Sequence, residues 1–237
     1  MSGLERIAVI VQARVSSTRR PGKVLHRVAG RPLLGFLLER LAHSASHLPI
    51  IVATSTDPSD DPLVEYCRGE GVETFRGSLI DVASRFADVA QSCRLDGFVR
   101  LNGDSPLLDP ALVTRALALF RTQPADLVTN VHPRTFPRGE SVEMIKASAF
   151  LAAFHRMREP ADREHVTRWF YRHPDAFTIR NFAADSPHPD LQLAVDTPDD
   201  LARFEAIVTL MERPQWTYGL DEVIALSQAV SSRRVPA

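Results

Sequence analysis

The sequence has little of what marks several common classes of protein. Its 237 residues include two cysteines, and both fall in segments expected to be helical, without the spacing of metal ligands. This favours a reducing cytoplasm over a disulfide scaffold. No apolar run approaches the roughly 20 residues of a membrane helix, and the N-terminus lacks the apolar core of a signal peptide. We therefore expect a cytoplasmic protein that does not insert into a membrane.

The chain also has almost no net charge and very little lysine. Its formal net charge is −1, so no overall basic field favours a nucleic-acid partner. Of its 28 basic residues only Lys23 and Lys146 are lysines, and the others are arginines. Because positive charge in this chain is nearly always carried by arginine, Lys23 stands out as a compact point charge.

The length and the 44% hydrophobic content are sufficient for one large core. Apolar residues 7–11 predict a central strand, and leucines at helical spacing over residues 33–41 predict a helix. The strand and helix patterns then alternate, with a helix expected over residues 162–171 and a strand over residues 191–195. No repeat, low-complexity run or linker interrupts them.

This alternation predicts an α/β fold in which three layers form around a mostly parallel sheet. We expect a small β-rich excursion around residues 130–146 and 177–195. Residues 1–237 are expected to form a single domain, with a flexible tail over residues 231–237.

A polar loop follows the first strand. Between Arg14 and Lys23 the chain carries four basic side chains, three hydroxyls and the pair Pro21-Gly22. Guanidinium groups, an ammonium, hydroxyls and free backbone N–H groups are the donors that an oligophosphate needs. The loop is neither a Walker A sequence nor a GxGxxG fingerprint. The residues alone therefore also allow a solvated basic surface loop.

Two aspartates follow predicted strands. Asp104 comes after the strand over residues 96–101, beside Gly103, which would let a ligand approach, and Asp196 comes after the strand over residues 191–195. Magnesium commonly takes one or two protein carboxylates together with substrate phosphates, so both aspartates are candidate ligands. Asp104 could instead cap the next helix, although Asp109 is the better cap. Asp196 could instead be a turn residue.

Five segments resemble a known family. QARVSSTRRPGKVL at residues 12–25 resembles the opening of the cytidylyltransferase-like family that includes the spore coat polysaccharide biosynthesis protein F group. FRGSLIDVASRF, VRLNGDSPLLDP, REHVTRWFYRHPDAF and LAVDTPDDL extend the resemblance over nearly the whole chain. This group is related to the acylneuraminate and 3-deoxy-manno-octulosonate cytidylyltransferases. The resemblance implies the nucleotide-diphospho-sugar transferase fold.

The resemblance also implies a reaction and site residues. The reaction would transfer CMP from CTP to a sugar acid or similar anionic acceptor and release pyrophosphate, in surface polysaccharide or glycan precursor biosynthesis. The implied catalytic residues are Arg14, Lys23 and Asp104, with Mg²⁺ on Asp104 and Asp196. The implied nucleotide-binding residues are Ala13, Arg14, Ser16, Ser17, Arg19, Lys23, Thr54, Ser78, Arg85 and Asn102. The implied acceptor-binding residues are Arg138, Glu143, Arg163, Glu164 and His165.

For two of these residues, Arg85 and His165, the sequence also allows another role. Arg85 follows Asp81 by one helical turn, so a surface ion pair between them is equally consistent with the sequence. His165 stands next to Glu164, but no second histidine completes an HExxH zinc motif. Because proton transfer demands a positioned partner, lining the acceptor pocket fits His165 better than catalysis does.

The segment FPRGESVE at residues 136–143 departs from the family, which usually reads FPDGLDVE. Arg138 and Ser141 stand where acidic residues are common, which leaves the acceptor and the preservation of activity open. Arginines at positions 134, 138 and 163 indicate that the acceptor is anionic. Other possibilities are a glycosyltransferase of similar fold, although no Asp-x-Asp motif follows a strand, and an inactive nucleotide-binding homologue. Related cytidylyltransferases are often dimers, so a homodimer is also an expectation.

Overall fold

The computed structural model describes residues 5–16, 21–44 and 47–233, and its centre is a seven-stranded sheet. Within these ranges the strands are β1 (Ile7–Gln12), β2 (Arg27–Val28), β3 (Arg31–Pro32), β4 (Ile50–Ser55), β5 (Glu73–Gly77), β6 (Gly97–Asn102), β7 (Leu127–Thr129), β8 (Glu143–Lys146) and β9 (Ile179–Asn181). The sheet order is β5-β4-β1-β6-β8-β7-β9, while β2 and β3 form a separate antiparallel pair. In the large sheet only β8 runs antiparallel to its neighbours. The predicted α/β fold with a mostly parallel sheet is confirmed.

Helices cover both faces of this sheet. They are α1 (Leu33–Ala42), α2 (Asp61–Gly69), α3 (Val82–Ser92), α4 (Pro110–Thr122), α5 (Ala147–Phe154), α6 (Pro160–Glu164), α7 (Arg168–Arg172), α8 (Pro198–Thr209) and α9 (Leu220–Arg233). Short 3₁₀ turns lie at Lys23–Leu25, Pro58–Asp60, Pro174–Ala176 and Gln215–Thr217. Among the described residues no helix is both long enough and apolar enough to cross a membrane.

The apolar run of β1 divides between two cores. Val9 and Val11 pack with α1, α2 and α4 on one face, whereas Ala8 and Ile10 pack with α3, α5 and α7 on the other. Successive side chains of a strand point to opposite faces, so a strand buried on both faces must be apolar throughout. A third cluster joins α1 to α8 and α9, with the rings of Phe36 and Phe204 5.0 Å apart. The first two clusters thus cover the two faces of the central strands, whose carboxyl ends remain open.

Two predicted elements take a different form. The helix expected over residues 162–171 is divided into α6 and α7, because Val166 between them has φ +26°, a value that a continuing α-helix cannot accept. The prediction of a strand over residues 191–195 is wrong. That segment makes a single β-bridge, between Gln192 and Arg138. Residues 143–146 and 179–181 of the predicted β-rich excursion belong to the main sheet.

The predicted helix cap at Asp109 is confirmed, and a second cap stands at the start of α8. Asp109 accepts a hydrogen bond from the N–H of Ala111 at the start of α4. Thr197 and Asp200 form a reciprocal capping box at the start of α8. Because these caps use Asp109 and Thr197, the nearby Asp104 and Asp196 are left for other contacts.

Candidate active site

A cleft of about 430 Å³ opens where β1 and β6 end side by side at Gln12 and Asn102. The carboxyl ends of parallel strands are where α/β folds commonly bind ligands. The cleft brings together many of the residues singled out from the sequence, from both ends of the chain. These are Ala13, Arg14, Lys23, Arg85, Asn102, Asp104, Arg138, Glu164, His165 and Asp196.

Lys23 lies between the two aspartates. Its Nζ donates to Asp104 Oδ2 at 2.7 Å, to Asp196 Oδ1 at 3.0 Å and to the carbonyl oxygen of Val195 at 3.1 Å. An ammonium has three N–H donors, so these contacts use all of them. The side chain is buried, whereas each carboxylate keeps more than a quarter of its surface exposed. Lys23 therefore neutralises the two aspartates from their buried side, and their solvent-exposed surfaces face the cleft.

Backbone contacts bring the two aspartates together. The N–H of Val195 donates to the carbonyl oxygen of Asp104 at 2.9 Å, which fixes the start of the segment carrying Asp196. Gly103 serves a different purpose from the predicted one. A Cβ at this position would lie 2.8 Å from the Cβ of Ala13, so the glycine allows close approach of the chain ends after β1 and β6. It is needed for packing between the chain segments, not for the approach of a ligand.

The carboxylates of Asp104 and Asp196 can accept a hard cation. Among the described residues no group of three or more histidine, cysteine or acidic side chains is arranged to hold a metal. Magnesium needs fewer protein ligands, because it commonly binds one or two carboxylates together with substrate phosphates and water. The Lys23 ammonium already shows that both carboxylates converge on one positive charge. The donor set therefore fits a divalent cation whose other ligands come from the substrate.

Arg85 is a second buried cation in the cleft, with much weaker contacts. It is 2% exposed, and its Nη1 donates to the carbonyl oxygen of Ala53 at 3.4 Å. Its Nε has no hydrogen-bond partner within the described residues. Burial lowers the pKa of Arg85 to about 10, and the charge of Arg14 adds to this effect. A buried cation with so few hydrogen-bond acceptors among the described residues can accept an anionic ligand.

The alternative reading of Arg85 as one half of a surface ion pair is wrong. Asp81 forms its ion pair with Arg163, at 3.1 Å, and caps α3 by accepting from the N–H of Ser84. Arg85 points inward because it follows the apolar stripe of α3 into the core. The spacing of one helical turn permitted the pair, but burial of one partner excluded it.

The loop after β1 is described at its two ends. Arg14 lies 3.9 Å from Glu164 in an ion pair, and both side chains line the cleft. Ser16 has a buried hydroxyl without a partner in the described part of the chain, and so does Thr54. Ser17 and Arg19 lie outside the described residues, so their predicted roles stay predictions.

Arginines also line the acceptor side of the cleft. Arg134 donates to the hydroxyl of Ser141 at 3.0 Å, and burial lowers the pKa of Arg134, with the charge of Arg138 acting in the same direction. Neither guanidinium forms an ion pair within the described ranges. Arg138 is held through its backbone N–H, which donates to the carbonyl oxygen of Leu191 at 2.8 Å. These two unpaired positive charges favour an anion.

Gly139 makes this arrangement possible. It has φ +107°, and a Cβ there would lie 2.5 Å from the backbone nitrogen of Ala194. The two segments thus pack backbone to backbone. This places Arg138 next to the segment of residues 191–196, which carries Asp196. A larger residue at position 139 would push the two segments apart.

Arg100 is a cleft residue that sequence reasoning missed. It lies on β6, donates to Gln12 Oε1 at 3.1 Å, and forms a buried ion pair with Glu143. Glu143 also accepts a hydrogen bond from Tyr171. Because Glu143 is only 3% exposed, it supports Arg100 through their ion pair and does not line the cleft. The signal that could have identified Arg100 is a charged residue two positions before the end of a buried strand.

Two other predicted residues have contacts elsewhere. Arg163 donates to the carbonyl oxygen of Met157, pairs with Asp81 and stacks over the ring of Phe154. The hydroxyl of Ser78 accepts from the N–H of Asp81. Both residues thus hold the start of α3, and neither is among the described residues that line the cleft. We do not include them in the site.

Comparisons with known proteins agree with this geometry. The profile of the cytidylyltransferase family matches residues 8–228. The spore coat polysaccharide biosynthesis protein SpsF of Bacillus subtilis (strain 168) is 31% identical over 209 residues, which cover 85% of each chain. A 3-deoxy-manno-octulosonate cytidylyltransferase of Acidobacterium capsulatum is 36% identical over 203 residues, or 79% of each chain.

A solved structure extends the match to the fold. A cytidylyltransferase from Leptospira borgpetersenii serovar Hardjo-bovis (strain JB197) superimposes with a TM-score of 0.92 at 27% identity, covering 98% of this chain and 99% of that one. The residues matched by the family profile include every residue that lines the cleft. The chain therefore belongs to the cytidylyltransferase family, and it is a CTP-dependent nucleotidyltransferase.

Proposed function

We propose that this enzyme transfers CMP from CTP to an anionic sugar acid or a similar acceptor, for surface polysaccharide or glycan precursors. The observation that carries the proposal is the contact of Lys23 with Asp104 and Asp196 in a cleft that is also lined by five arginines. Such a cleft provides the two things that nucleotidyl transfer needs: cations for the triphosphate and carboxylates for a metal. The names of the similar proteins support the acceptor class.

The nucleotide would lie along the end of β1. Arg14, Lys23 and the loop between them would hold the triphosphate, and the predicted contributions of Ser17 and Arg19 belong to the same loop. Arg85, with a guanidinium that has one weak acceptor, would receive the nucleotide deeper in the cleft. Charge-assisted contacts of this kind are stronger than neutral hydrogen bonds.

Asp104 and Asp196 would hold the divalent cation, for which we propose Mg²⁺. When bound, it would neutralise phosphate charge and lower the pKa of the attacking hydroxyl. Lys23 contacts one oxygen of each carboxylate, so a cation bound at their open sides would compete with it for the aspartates. We infer that the Lys23 ammonium then donates to the triphosphate, which is within reach of the same cleft.

The acceptor would bind opposite, against Arg134 and Arg138. In the reaction an acceptor oxygen forms a bond to the α-phosphorus, the bond to the bridging oxygen breaks, and pyrophosphate leaves while the hydroxyl proton is released. Transfers at phosphorus depend mainly on positioning and charge neutralisation, so no protein nucleophile is needed. Glu164 and His165 line the cleft on this side, where they would contact the acceptor.

A direct assay tests the proposal. The protein is incubated with each of the four nucleoside triphosphates, Mg²⁺ and a panel of sugar acids, and pyrophosphate is measured. We expect release with CTP and at least one sugar acid. Tight CTP binding without release in any acceptor mixture would contradict the proposed transfer and indicate an inactive nucleotide-binding homologue. Consumption of a nucleotide sugar in a parallel incubation would indicate a glycosyltransferase.

A further inference from the structure

Asp60 joins the loop after β1 to the end of β4. Its carboxylate is fully buried and lies in the 3₁₀ turn that follows β4. Oδ1 accepts a hydrogen bond from the backbone N–H of Val15 at 2.6 Å. Oδ2 accepts from the backbone N–H of Ser55 at 3.1 Å and from the Ser55 hydroxyl. One carboxylate therefore connects segments that are 45 residues apart in the sequence.

Val15 is the point at which this contact can control the loop. Its N–H is bound by Asp60, and its carbonyl oxygen accepts a hydrogen bond from the N–H of Gly22 at 2.8 Å. Both ends of the loop thus meet at Val15, and Lys23 follows directly after Gly22. Gly22 has φ +76°, a conformation that suits glycine and turns the chain toward the buried position of Lys23.

Asp60 itself is not one of the described residues that line the cleft. It makes no ion pair within the described ranges, although its charge acts on the buried Arg85, and its hydrogen bonds all come from Val15 and Ser55. A buried carboxylate is costly unless its oxygens are fully used, so its location needs a reason beyond packing. That reason lies in what it holds, since Arg14 and Ser16 flank the residue that it binds.

We propose that Asp60 is a positioning residue, which holds Val15 so that Arg14 and Lys23, at the two described ends of the loop, are preorganised for the phosphates of the nucleotide. The inference rests on the proposed binding of CTP at this loop. A preorganised loop binds more tightly because less conformational freedom is lost on binding.

The chemistry of the carboxylate makes the proposal specific. Both oxygens of Asp60 face backbone N–H donors. An asparagine amide has one acceptor oxygen, and its NH₂ group would face an N–H donor at the other position. The Ser55 hydroxyl can accept from that NH₂ group, so Asp60→Asn can keep the Val15 contact, and Asp60→Ala is the variant that removes it. Ser55→Ala is a matched control, because it removes only the two hydrogen bonds of the hydroxyl, to Asp60 and from the N–H of Asp57, and leaves the Val15 contact in place.

The test compares CTP binding by the wild type, Asp60→Ala and Ser55→Ala, using titration calorimetry with Mg²⁺ present and thermal unfolding to monitor the fold. We expect Asp60→Ala to weaken CTP binding by about tenfold or more, the effect of losing a hydrogen bond to a charged group. We expect Ser55→Ala to stay within about threefold even though it removes two hydrogen bonds of the Ser55 hydroxyl. Equal CTP affinities in the two variants would overturn the positioning role.

A second measurement keeps the inference testable if Asp60→Ala does not fold. Hydrogen exchange of the backbone amides of residues 13–16 is measured in the nucleotide-free wild type. We expect the Val15 amide to exchange slowly, because it donates to a buried carboxylate. Rapid exchange there would overturn the inference. If the wild type binds no CTP, the proposed function fails separately, and the exchange result still decides whether Asp60 holds the loop.

Discussion

The two buried cations of the cleft, Lys23 and Arg85, have opposite surroundings. Lys23 uses all three of its donors on Asp104, Asp196 and a backbone carbonyl oxygen. Arg85 has one contact of 3.4 Å to a carbonyl oxygen and a buried Nε without a partner within the described residues. Within the described residues, one end of the cleft is thus neutralised by direct contacts, whereas the charges of Asp60 and Asp81 act on Arg85 without an ion pair.

This difference indicates two ways of preparing a site for an anionic nucleotide. Arg85 carries its desolvation cost in the folded protein and is ready to accept a ligand. Lys23 is stabilised by the carboxylates that would hold a metal, so in the proposed function it would exchange partners when metal and triphosphate bind. In the same proposal the end with Arg85 would provide preformed binding, whereas the end with Lys23 would couple nucleotide binding to cation binding.

The largest expected effect comes from removing a carboxylate next to Lys23. Asp104→Asn and Asp196→Asn each replace a hard anionic ligand with a neutral amide of equal size. We expect turnover to fall by about 10²-fold or more, the range for losing a main electrostatic contribution. Pyrophosphate release is measured at saturating CTP and Mg²⁺, with the exposed Asp199→Asn as the control. Wild-type turnover in Asp196→Asn would show that the two-carboxylate site is wrong.

The next effect concerns the shape of the cation at position 23. Lys23→Arg should be nearly as damaging as Lys23→Ala, because the buried position fits a compact ammonium and not a planar fork. We expect each variant to lose about 2–4 kcal/mol of transition-state stabilisation, seen more in turnover than in CTP affinity. Steady-state kinetics measures this, with Lys146→Arg at the exposed end of β8 as the control. Normal turnover in Lys23→Arg would mean that only positive charge matters there.

The exchange of partners by Lys23 can be measured directly without turnover. In nucleotide-free protein, Lys23→Met frees both carboxylates from the ammonium. We expect it to bind Mn²⁺ about tenfold more tightly than the wild type, equivalent to about 1.4 kcal/mol. Electron paramagnetic resonance of free Mn²⁺ reports the affinity, and adding Asp104→Asn should remove the gain. Equal affinity in Lys23→Met and the wild type would show that Lys23 does not compete with the cation.

Removal of the other cation should leave the fold intact. Arg85→Met replaces a buried guanidinium that has few acceptors, so the free energy of unfolding without nucleotide should be unchanged or higher by about 1–2 kcal/mol. CTP affinity should fall by about tenfold, because a charge-assisted contact is lost. Urea unfolding and calorimetry measure the two effects. A strong loss of stability in Arg85→Met would mean that the guanidinium supports the core instead of awaiting a ligand.

The smallest expected effect concerns the pH dependence of stability and a buried acid, Glu140. Glu140 lies fully buried and accepts from the N–H of Asp109, and burial raises the pKa of Glu140 to about 8. Between its usual pKa near 4.5 and about 8, the unfolded chain releases this proton and the folded chain keeps it. Stability should therefore fall as pH rises through this range, by at most about 1.4 kcal/mol per pH unit.

Glu140→Gln should remove this dependence. Urea unfolding of both proteins at pH 5.5, 7 and 8.5 compares their free energies, and we expect the wild type to lose stability relative to the variant as the pH rises. Parallel changes in the two proteins would show that Glu140 is ionised in the folded state at neutral pH.

Much of the fold followed from short-range patterns. The apolar run of residues 7–11, the leucine stripe of α1 and the caps at Asp109 and Thr197 are local signals, and local signals do not depend on distant partners. The break at Val166, which divides the helix expected over residues 162–171, could not be predicted from such local patterns. Its cause is a backbone conformation that the tertiary environment imposes on a residue whose neighbours favour a helix.

The sequence by itself determined the cytidylyltransferase resemblance, the parallel sheet and the two aspartates at the end of their segments. Only the tertiary structure decided how the charges are paired. It buried Arg85 away from Asp81, placed Lys23 between Asp104 and Asp196, and identified Arg100 and Asp60 as residues of the site and its support. The physical reason is that charge pairing depends on distances of a few ångströms between residues far apart in the chain. Sequence spacing does not contain those distances.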